Sequence, residues 1–323
     1  MLWVIAFLVI IFLYASLIER NWYAIRKSEL EILKPGAEEI VVLHISDLHL
    51  APWQKRKVRW MQNLAERVKP DLVVNTGDNL GHPKAIGTLL TALGPLGKTR
   101  GVFVNGSNDM FAPAIRNPFS YLFKPSNQHK KTHKTVDVNA LNKGLSDFGW
   151  EDLNNRAEVL QIKNSTLGFI GTDDAHEGKA NFGLLEIQPA FGQWSDTIIG
   201  VTHAPYKSVL EGFSMLGAKL VFAGHTHGGQ VCVPFTGKAL VTNCDLPRKY
   251  ARGLHRTKNF WLQVCAGLGT SIYAPVRFAC RPEVRVLVLK PTSSQNHTHL
   301  NQEQDTVPSR YRNALPAPQH SKL

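Results

Sequence analysis

The sequence predicts an α/β sandwich, with sheets inside and helices outside, preceded by an N-terminal transmembrane helix. Three observations carry that reading. Short apolar, β-branched runs recur along the chain, each closing in a polar or Gly-rich turn: EIVVLHISDLHL, DLVVNTGDNL, GVFVNGSND, TLGFIGTDDAH, DTIIGVTHAP, AKLVFAGHTHGG, FWLQVCAG and EVRVLVL. Helical spacing of apolar residues fills some of the gaps between them. The stretch Leu2–Ile18 (LWVIAFLVIIFLYASLI) carries no charge at all.

The N-terminal stretch comes first. Its length is at the short end of a membrane span, which takes about 20 residues. A core helix would show a polar face, and this one shows none. No Lys or Arg precedes the run and no small-x-small cleavage site follows it, so an uncleaved anchor is expected over residues 1–19. Arg20, Arg26, Lys27 and Lys34 follow it. The positive-inside rule then puts that flank, and the catalytic domain with it, on the cytoplasmic side of the cell membrane in a single-pass topology. Residues 20–40 read as a juxtamembrane linker and 41–290 as the globular domain.

Within that domain each apolar run has the length and composition of a buried strand. Lys55–Val68 places Val58, Met61, Leu64, Ala65 and Val68 at helical spacing, and Ala85–Leu93 is similar. Strand–helix–strand near the start, followed mostly by strands, gives the sandwich. The segment Phe111–Lys134 (FAPAIRNPFSYLFKPSNQHKKTHK) fits neither pattern. It reads as a surface insertion loop with a solvated charge cluster, or as a flap whose aromatics and lysines touch lipid headgroups. From Pro291 the text turns polar and Pro-containing without hydrophobic period, so 291–323 is expected to be a disordered tail.

Lys+Arg 37 against Asp+Glu 25 leaves a net charge of +12, which favours anionic partners: phosphorylated substrates, an anionic membrane face or nucleic acid. Cys232, Cys244, Cys265 and Cys280 have no CxxC spacing, so neither a disulfide scaffold nor a zinc knuckle is expected.

The chemistry-bearing residues sit where the strands end. Asp47 and His49 form D-x-H after the first run, Asp78 follows Gly77 after the second, and Asn108 and Asp109 follow the third. His203 comes after the run DTIIGVT, and His225 and His227 form H-x-H after AG. Ligands bind at the carboxyl ends of strands in open α/β sheets. Singly, each of these is an ordinary turn cap or strand-end polar residue. In series, carboxylates, imidazoles and a carboxamide make a mixed N/O donor set. That set suits Mn, Fe, Zn, Co or Ni rather than Mg alone, and it lacks the thiolates of structural zinc.

The series D47-L-H49, G77-D78, G106-S-N-D109, H203 and G224-H-T-H227 resembles the calcineurin-like metallophosphoesterase family, over roughly Val41–Leu289. The longer form AGHTHGGQV, with DLHL upstream and GTDDAH between, is similar to its membrane-associated branch. That branch includes bacterial phosphodiesterases and UDP-2,3-diacylglucosamine hydrolases. The resemblance implies a four-layer αββα sandwich with a binuclear centre. It implies Asp47, His49 and His227 on a first ion, Asp78 shared, and His203, His225 and an Asn-type ligand on a second. Two divalent ions sharing a hydroxide lower its pKa and support in-line attack on phosphorus.

The third motif departs from the family's G-N-H-D/E, reading Gly106-Ser107-Asn108-Asp109. Two readings stand: Asn108 reaches the metal, or Ser107 ligates weakly while Asn108 bonds the phosphate. In either, no proton donor occupies the usual His position, since a carboxamide is no general acid. The candidate catalytic residues are Asn108, Asp109 and His176, the last either supplying the missing imidazole from GTDDAH or serving as an ordinary loop histidine. Asp173 and Asp174 belong either to the site edge or to a turn cap. The function expected is metal-dependent hydrolysis of a phosphodiester or pyrophosphate bond in a phosphorylated small molecule or lipid. A nuclease of the same fold and a catalytically silent, membrane-tethered metal-binding scaffold are the alternatives. The nuclease is disfavoured because no aromatic-interleaved basic stripe occurs outside Phe111–Lys134.

Overall fold

Along β2 (Ile40–Ile45) successive side chains serve two different cores, because strand side chains alternate between faces. Val42 faces inward with Val74 and Val102, against Leu167, Phe169, Ile199 and Phe222 of a second sheet. Leu43 faces outward with Val73 and Phe103, against a layer of helices. The computed structural model describes residues 2–112, 135–184, 195–270 and 274–293. Within them the chain forms two six-stranded sheets, face to face, with helices on both outer faces. This is the αββα sandwich.

The first sheet runs in the order β1 (Ala24–Leu33), β12 (Glu283–Pro291), β2, β3 (Leu72–Asn75), β4 (Gly101–Phe103), β5 (Trp150–Asp152). Strands β2 to β5 are parallel, and β12 enters antiparallel to β2. The second sheet runs β10 (Gly253–Arg256), β11 (Trp261–Val264), β9 (Leu220–Ala223), β8 (Thr197–Val201), β7 (Ser165–Gly171), β6 (Ala157–Ile162). There β11, β9, β8 and β7 are parallel.

The outer face of the first sheet is covered by α2 (Lys55–Gln62), α3 (Leu64–Val68), α4 (Ile86–Leu93) and α6 (Val138–Ser146), whose Met61, Leu64, Leu89, Leu93, Leu141 and Leu145 are buried. The helix expected over Lys55–Val68 is interrupted at Asn63, and its second half stops at Lys69 in a left-handed conformation. Helix α6 starts at Asp137, whose carboxylate accepts the Ala140 amide and satisfies one of the four free N–H groups of a helix start. Helix α7 (Lys207–Met215) covers the second sheet through Val209, Leu210 and Phe213. The one-turn α5 (Ser107–Met110) follows β4 directly.

The N-terminal helix α1 (Leu2–Leu13) continues through a widened turn and a tight turn, so that Leu2–Asn21 is a single 20-residue helical span whose most apolar 18 residues have mean hydropathy 2.5. Apart from the partly buried Ile11, its large side chains lie between 47% (Leu13) and 89% (Trp3) exposed. No part of α1 is buried against the sandwich. It is long and apolar enough to cross a membrane.

Residues 20–40, expected to be a linker, instead contain β1, which pairs in parallel with β12 from Ala24↔Glu283 to Leu33↔Pro291. Charged residues hid it. AIRKSELEIL is an edge strand, and edge strands carry charge that discourages pairing with other chains. The strand also fixes the far boundary: Pro291 lies within β12, and the Thr292 amide bonds the Leu33 carbonyl. The expected tail beyond 293, and the expected flap over 113–134, lie outside the described residues. The four cysteines are free thiols, three buried and Cys244 partly so.

Candidate metal centre

Every expected metal ligand lies just past a strand's carboxyl end, Asn108 in the one-turn α5 and the others in turns, several of which take unusual backbone shapes. Asp47 (φ 46°), His49 (39°), Asp78 (54°), His225 (67°) and His227 (50°) all sit in the left-handed region. Non-glycine residues visit it rarely, and such conformations cluster at functional sites where surrounding structure holds them. Two glycines permit the crowding. A Cβ on Gly106 would collide with the Asp78 carboxylate, and one on Gly224 would collide with the Ser46 hydroxyl.

The loops converge. Asp47, His49 and His227 present ligand atoms within 4.8 Å of one another, and so do Asp47, Asp78 and His203. Asp78 Oδ2 lies 3.5 Å from His49 Nε2 and 3.6 Å from His203 Nε2. His227 Nε2 lies 3.6 Å from Asp47 Oδ1 and 3.2 Å from His49 Nε2. His225 Nδ1 lies 3.3 Å from His203 Nε2.

Hydrogen bonds on the far side of two rings set which nitrogen faces inward. His203 Nδ1 donates to the Thr76 carbonyl at 2.8 Å, leaving Nε2 as the inward lone pair. His225 Nε2 donates to the Asn243 carbonyl at 3.1 Å, leaving Nδ1 inward. The two lone pairs meet, as they would on a shared cation. Asp47 Oδ1 makes the same point, being buried with no hydrogen-bond partner while aimed at His227. A buried carboxylate oxygen without a donor is costly unless a cation satisfies it. These residues fit divalent ions.

Electrostatics agree for the imidazoles other than His203, whose carboxylate neighbours favour a positive charge at that place. Burial raises the Asp47 carboxyl to about 6. Burial also works against charge on Asp78, but His203, His49 and two N–H groups of Asn108 outweigh it and hold the carboxyl near 2. Burial lowers His49 to about 4 and lowers His225 and His227 well below the usual imidazole range, keeping them neutral as ligands must be. His203 goes the other way: burial opposes its charge, yet Asp78, Asp47 and Asp174 raise it to about 9.

The third motif divides its labour. Asn108 lies in the site, its Nδ2 donating to Asp78 Oδ2 at 2.6 Å and its backbone N–H to Asp78 Oδ1 at 2.8 Å. Asp109, expected among the catalytic groups, is instead a clamp. Its fully buried carboxylate accepts from the amides of Asn79, Leu80 and Gly106 and from Asn79 Nδ2, tying the loop after β3 to α5. Backbone donors satisfy its oxygens before chemistry can use them. His176 stands at the rim, its ring 4.8 Å from that of His225 and its Nδ1 2.8 Å from the Tyr206 hydroxyl. Asp174 accepts the His176 amide, and its other oxygen is buried with no hydrogen-bond partner. A hollow of about 290 Å³ opens beside His176 and Tyr206.

One contributor gave no signal in the sequence. Arg277 is fully buried and donates to four carbonyls, those of His227 (2.6 Å), Ala266 (2.7 Å), Gly269 (2.6 Å) and Gly267 (3.3 Å). It fixes the His227 turn against the 266–269 loop. The same segment receives the end of the apolar helix, where Glu19 accepts the amides of Ala279 (3.0 Å) and Cys280 (2.7 Å) and the Ala15 carbonyl accepts the Arg277 amide (3.1 Å). Only a pairing across some 260 residues reveals these contacts.

Comparison with known proteins is consistent with this geometry. Residues 40–229 match the family described as calcineurin-like phosphoesterase. An uncharacterized metallophosphoesterase of Aquifex aeolicus is 25% identical over 280 residues, covering 85% of this chain and 95% of that protein. Phosphodiesterase YaeI of Escherichia coli is 24% identical over 280 residues, covering 85% of this chain and 92% of that one. A bovine transmembrane protein with metallophosphoesterase domain is 26% identical over 264 residues, covering 80% of this chain and 54% of that protein.

Proposed function

The chain belongs to the calcineurin-like phosphoesterase family of phosphoric ester hydrolases, and on that premise we propose that it hydrolyses a phosphodiester or pyrophosphate bond, in a lipid or another phosphorylated substrate met at a membrane surface. Asp47, His49 and His227 would hold one ion and His203, His225 and Asn108 a second, with Asp78 between them. The observation that carries the reading is the position of Asp78 Oδ2, 3.5 Å from His49 and 3.6 Å from His203. Divalent ions bound there supply Lewis acidity, lowering the pKa of bound water and offsetting phosphoryl charge.

The chain's own residues set the rest. Asn108 holds the Asp78 carboxylate in place and cannot protonate a leaving group. His176, backed by the Tyr206 hydroxyl, is the imidazole placed to do so from the rim. General acid catalysis is worth about 10²–10⁴-fold, and a poor leaving group needs it most. Phosphate is a good leaving group and needs little, so the altered motif favours pyrophosphates and activated diesters. The span Leu2–Asn21 would anchor the domain, and the Lys and Arg residues after it support a cytoplasmic orientation.

The test is a substrate panel on chelator-stripped full-length protein, reloaded with Mn²⁺ or Zn²⁺. Bis-p-nitrophenyl phosphate and a lipid pyrophosphate should turn over, with p-nitrophenyl phosphate slower. No turnover with both ions bound would support the silent scaffold instead. Preferred turnover of the monoester would reverse the substrate assignment.

A further inference from the structure

The apolar helix ends in the polar turn Glu19–Asn21, where the chain enters the domain, so that turn marks the boundary between membrane and domain. Two parts of the domain grip that boundary. One is the 275–281 segment, where Arg281 lies over the Trp22 ring at 4.0 Å. The other is α2, where Trp60 packs on Tyr23 at 5.2 Å. Helix α2 is therefore held beside the exit of the anchor.

Its composition is unusual for a helix on a sandwich. KRKVRWMQ contains no acidic residue. Lys57 turns inward to the Leu48 carbonyl at 2.8 Å, while Lys55, Arg56 and Arg59 are exposed. None of these three, nor Lys84, makes an ion pair among the described residues. Lys55, Arg59 and Lys84 rim a groove of about 700 Å³ between α2 and α4, floored by Pro52, Val58 and Gly87. Just before it stands Trp53, 62% exposed, its ring against His82 at 5.3 Å.

An exposed Trp beside unpaired cations suits the headgroup layer, where the indole sits half in the apolar region and each basic side chain meets anionic lipid. We propose that the α2 face, with Trp53 and the Lys55–Arg59–Lys84 groove, docks on anionic lipid headgroups of the leaflet from which the anchor emerges. Charge complementarity and continuity with the anchor identify the occupant. Docking would turn a hinged single-pass tether into a fixed orientation. It would also bring the His49 loop, four residues before Trp53 in the sequence, towards the headgroup layer. The inference rests on the anchor reading and sharpens the lipid reading of the substrate.

The experiment uses the full chain in nanodiscs whose lipids are brominated high on the acyl chain, either all phosphatidylcholine or with phosphatidylglycerol added. The quantity read is the tryptophan quenching lost on Trp53→Phe. It should be large in anionic discs and small in zwitterionic ones. The triple variant Lys55→Gln/Arg59→Gln/Lys84→Gln should lower the docked-to-free ratio about a hundredfold, three basic residues acting additively. Salt near 1 M, where the Debye length is about 3 Å, should do the same. Unchanged metal content shows that the variants remain folded. Equal quenching of Trp53 in both discs, or none in either, overturns the proposal. So does release of Trp53 by an equimolar oligonucleotide, which would assign the face to nucleic acid. Quenching lost on Trp3→Phe reports the anchor separately: its absence would sink the anchor reading, and its presence without a Trp53 signal would sink only the docking.

Discussion

Removing the Arg277 guanidinium is the most revealing single perturbation of the centre. In Arg277→Met the side chain keeps most of its length but offers no donor. The carbonyls of His227, Ala266 and Gly269, bonded at 2.6, 2.7 and 2.6 Å, lose their closest donors in a fully buried region. Each buried carbonyl left unpaired costs about 1–3 kcal/mol. The His227 carbonyl keeps the Gln230 N–H at 3.0 Å, so two are left unpaired, which amounts to roughly 2–6 kcal/mol, a large part of the stability of a typical domain. Arg277→Lys has three donors in a single tetrahedral head rather than a fork, and should leave about one carbonyl unpaired, for about 1–3 kcal/mol. The assay is urea unfolding of the detergent-solubilised full chain, followed by far-UV circular dichroism, with metal titration by calorimetry on the folded Lys variant. Affinity at the His227 ion should weaken about 10–100-fold, the usual effect of losing an outer partner of a ligand. Arg277→Met unfolding within about 0.5 kcal/mol of wild type would refute the reasoning, since that is the scale of an incidental surface change.

Further expectations follow from single contacts. Gly224→Ala drives a Cβ into Ser46 Oγ and to 2.5 Å from Asp47 Oδ2, so the purified variant should carry less metal by elemental analysis. The double variant Ser107→Asn/Asn108→His restores the family's usual third motif, and should speed hydrolysis of a methyl phosphodiester by about 10²–10⁴-fold while changing a pyrophosphate far less. Equal gains on both substrates would contradict the leaving-group argument. Burial, with Arg277 and Arg20 nearby, lowers the Lys57 ammonium from 10.5 to about 7. Between those values the unfolded chain binds one proton more than the folded chain, so stability rises with pH, by about 1.4 kcal/mol per unit at most. The difference in urea midpoint between wild type and Lys57→Met should therefore grow from pH 7 to 9, and a constant difference would count against it.

What the sequence revealed and what it hid divide along one physical line. The eight apolar runs are the eight strands β2, β3, β4, β7, β8, β9, β11 and β12, all interior to their sheets. Buried on both faces, such strands read as continuous apolar text. The four strands that gave no such run, β1, β5, β6 and β10, are the four sheet edges. Their charges and half-exposed faces break the pattern. The candidate site follows the same division. Asp47, His49, Asp78, His203, His225 and His227 were legible because each lies within a few residues of a strand end, in a fixed order. Arg277, the Asp109 clamp and the Glu19 contacts were not, because each depends on which distant backbone group lies opposite. Asn108 stands between the two cases. Its spacing marked it as a site residue, and its bond to Asp78 Oδ2 says how it sits there.

The central claim is that Asp78 joins two ions into one hydrolytic centre. Equilibrium dialysis of the full chain against Mn²⁺, paired with bis-p-nitrophenyl phosphate hydrolysis, tests it on wild type and Asp78→Asn together. The account predicts two ions per chain in wild type and at most one in Asp78→Asn. Turnover should fall about 10³-fold or more, matching the several kcal/mol that paired ions give the transition state. An Asp78→Asn protein that keeps both ions and wild-type turnover would contradict it.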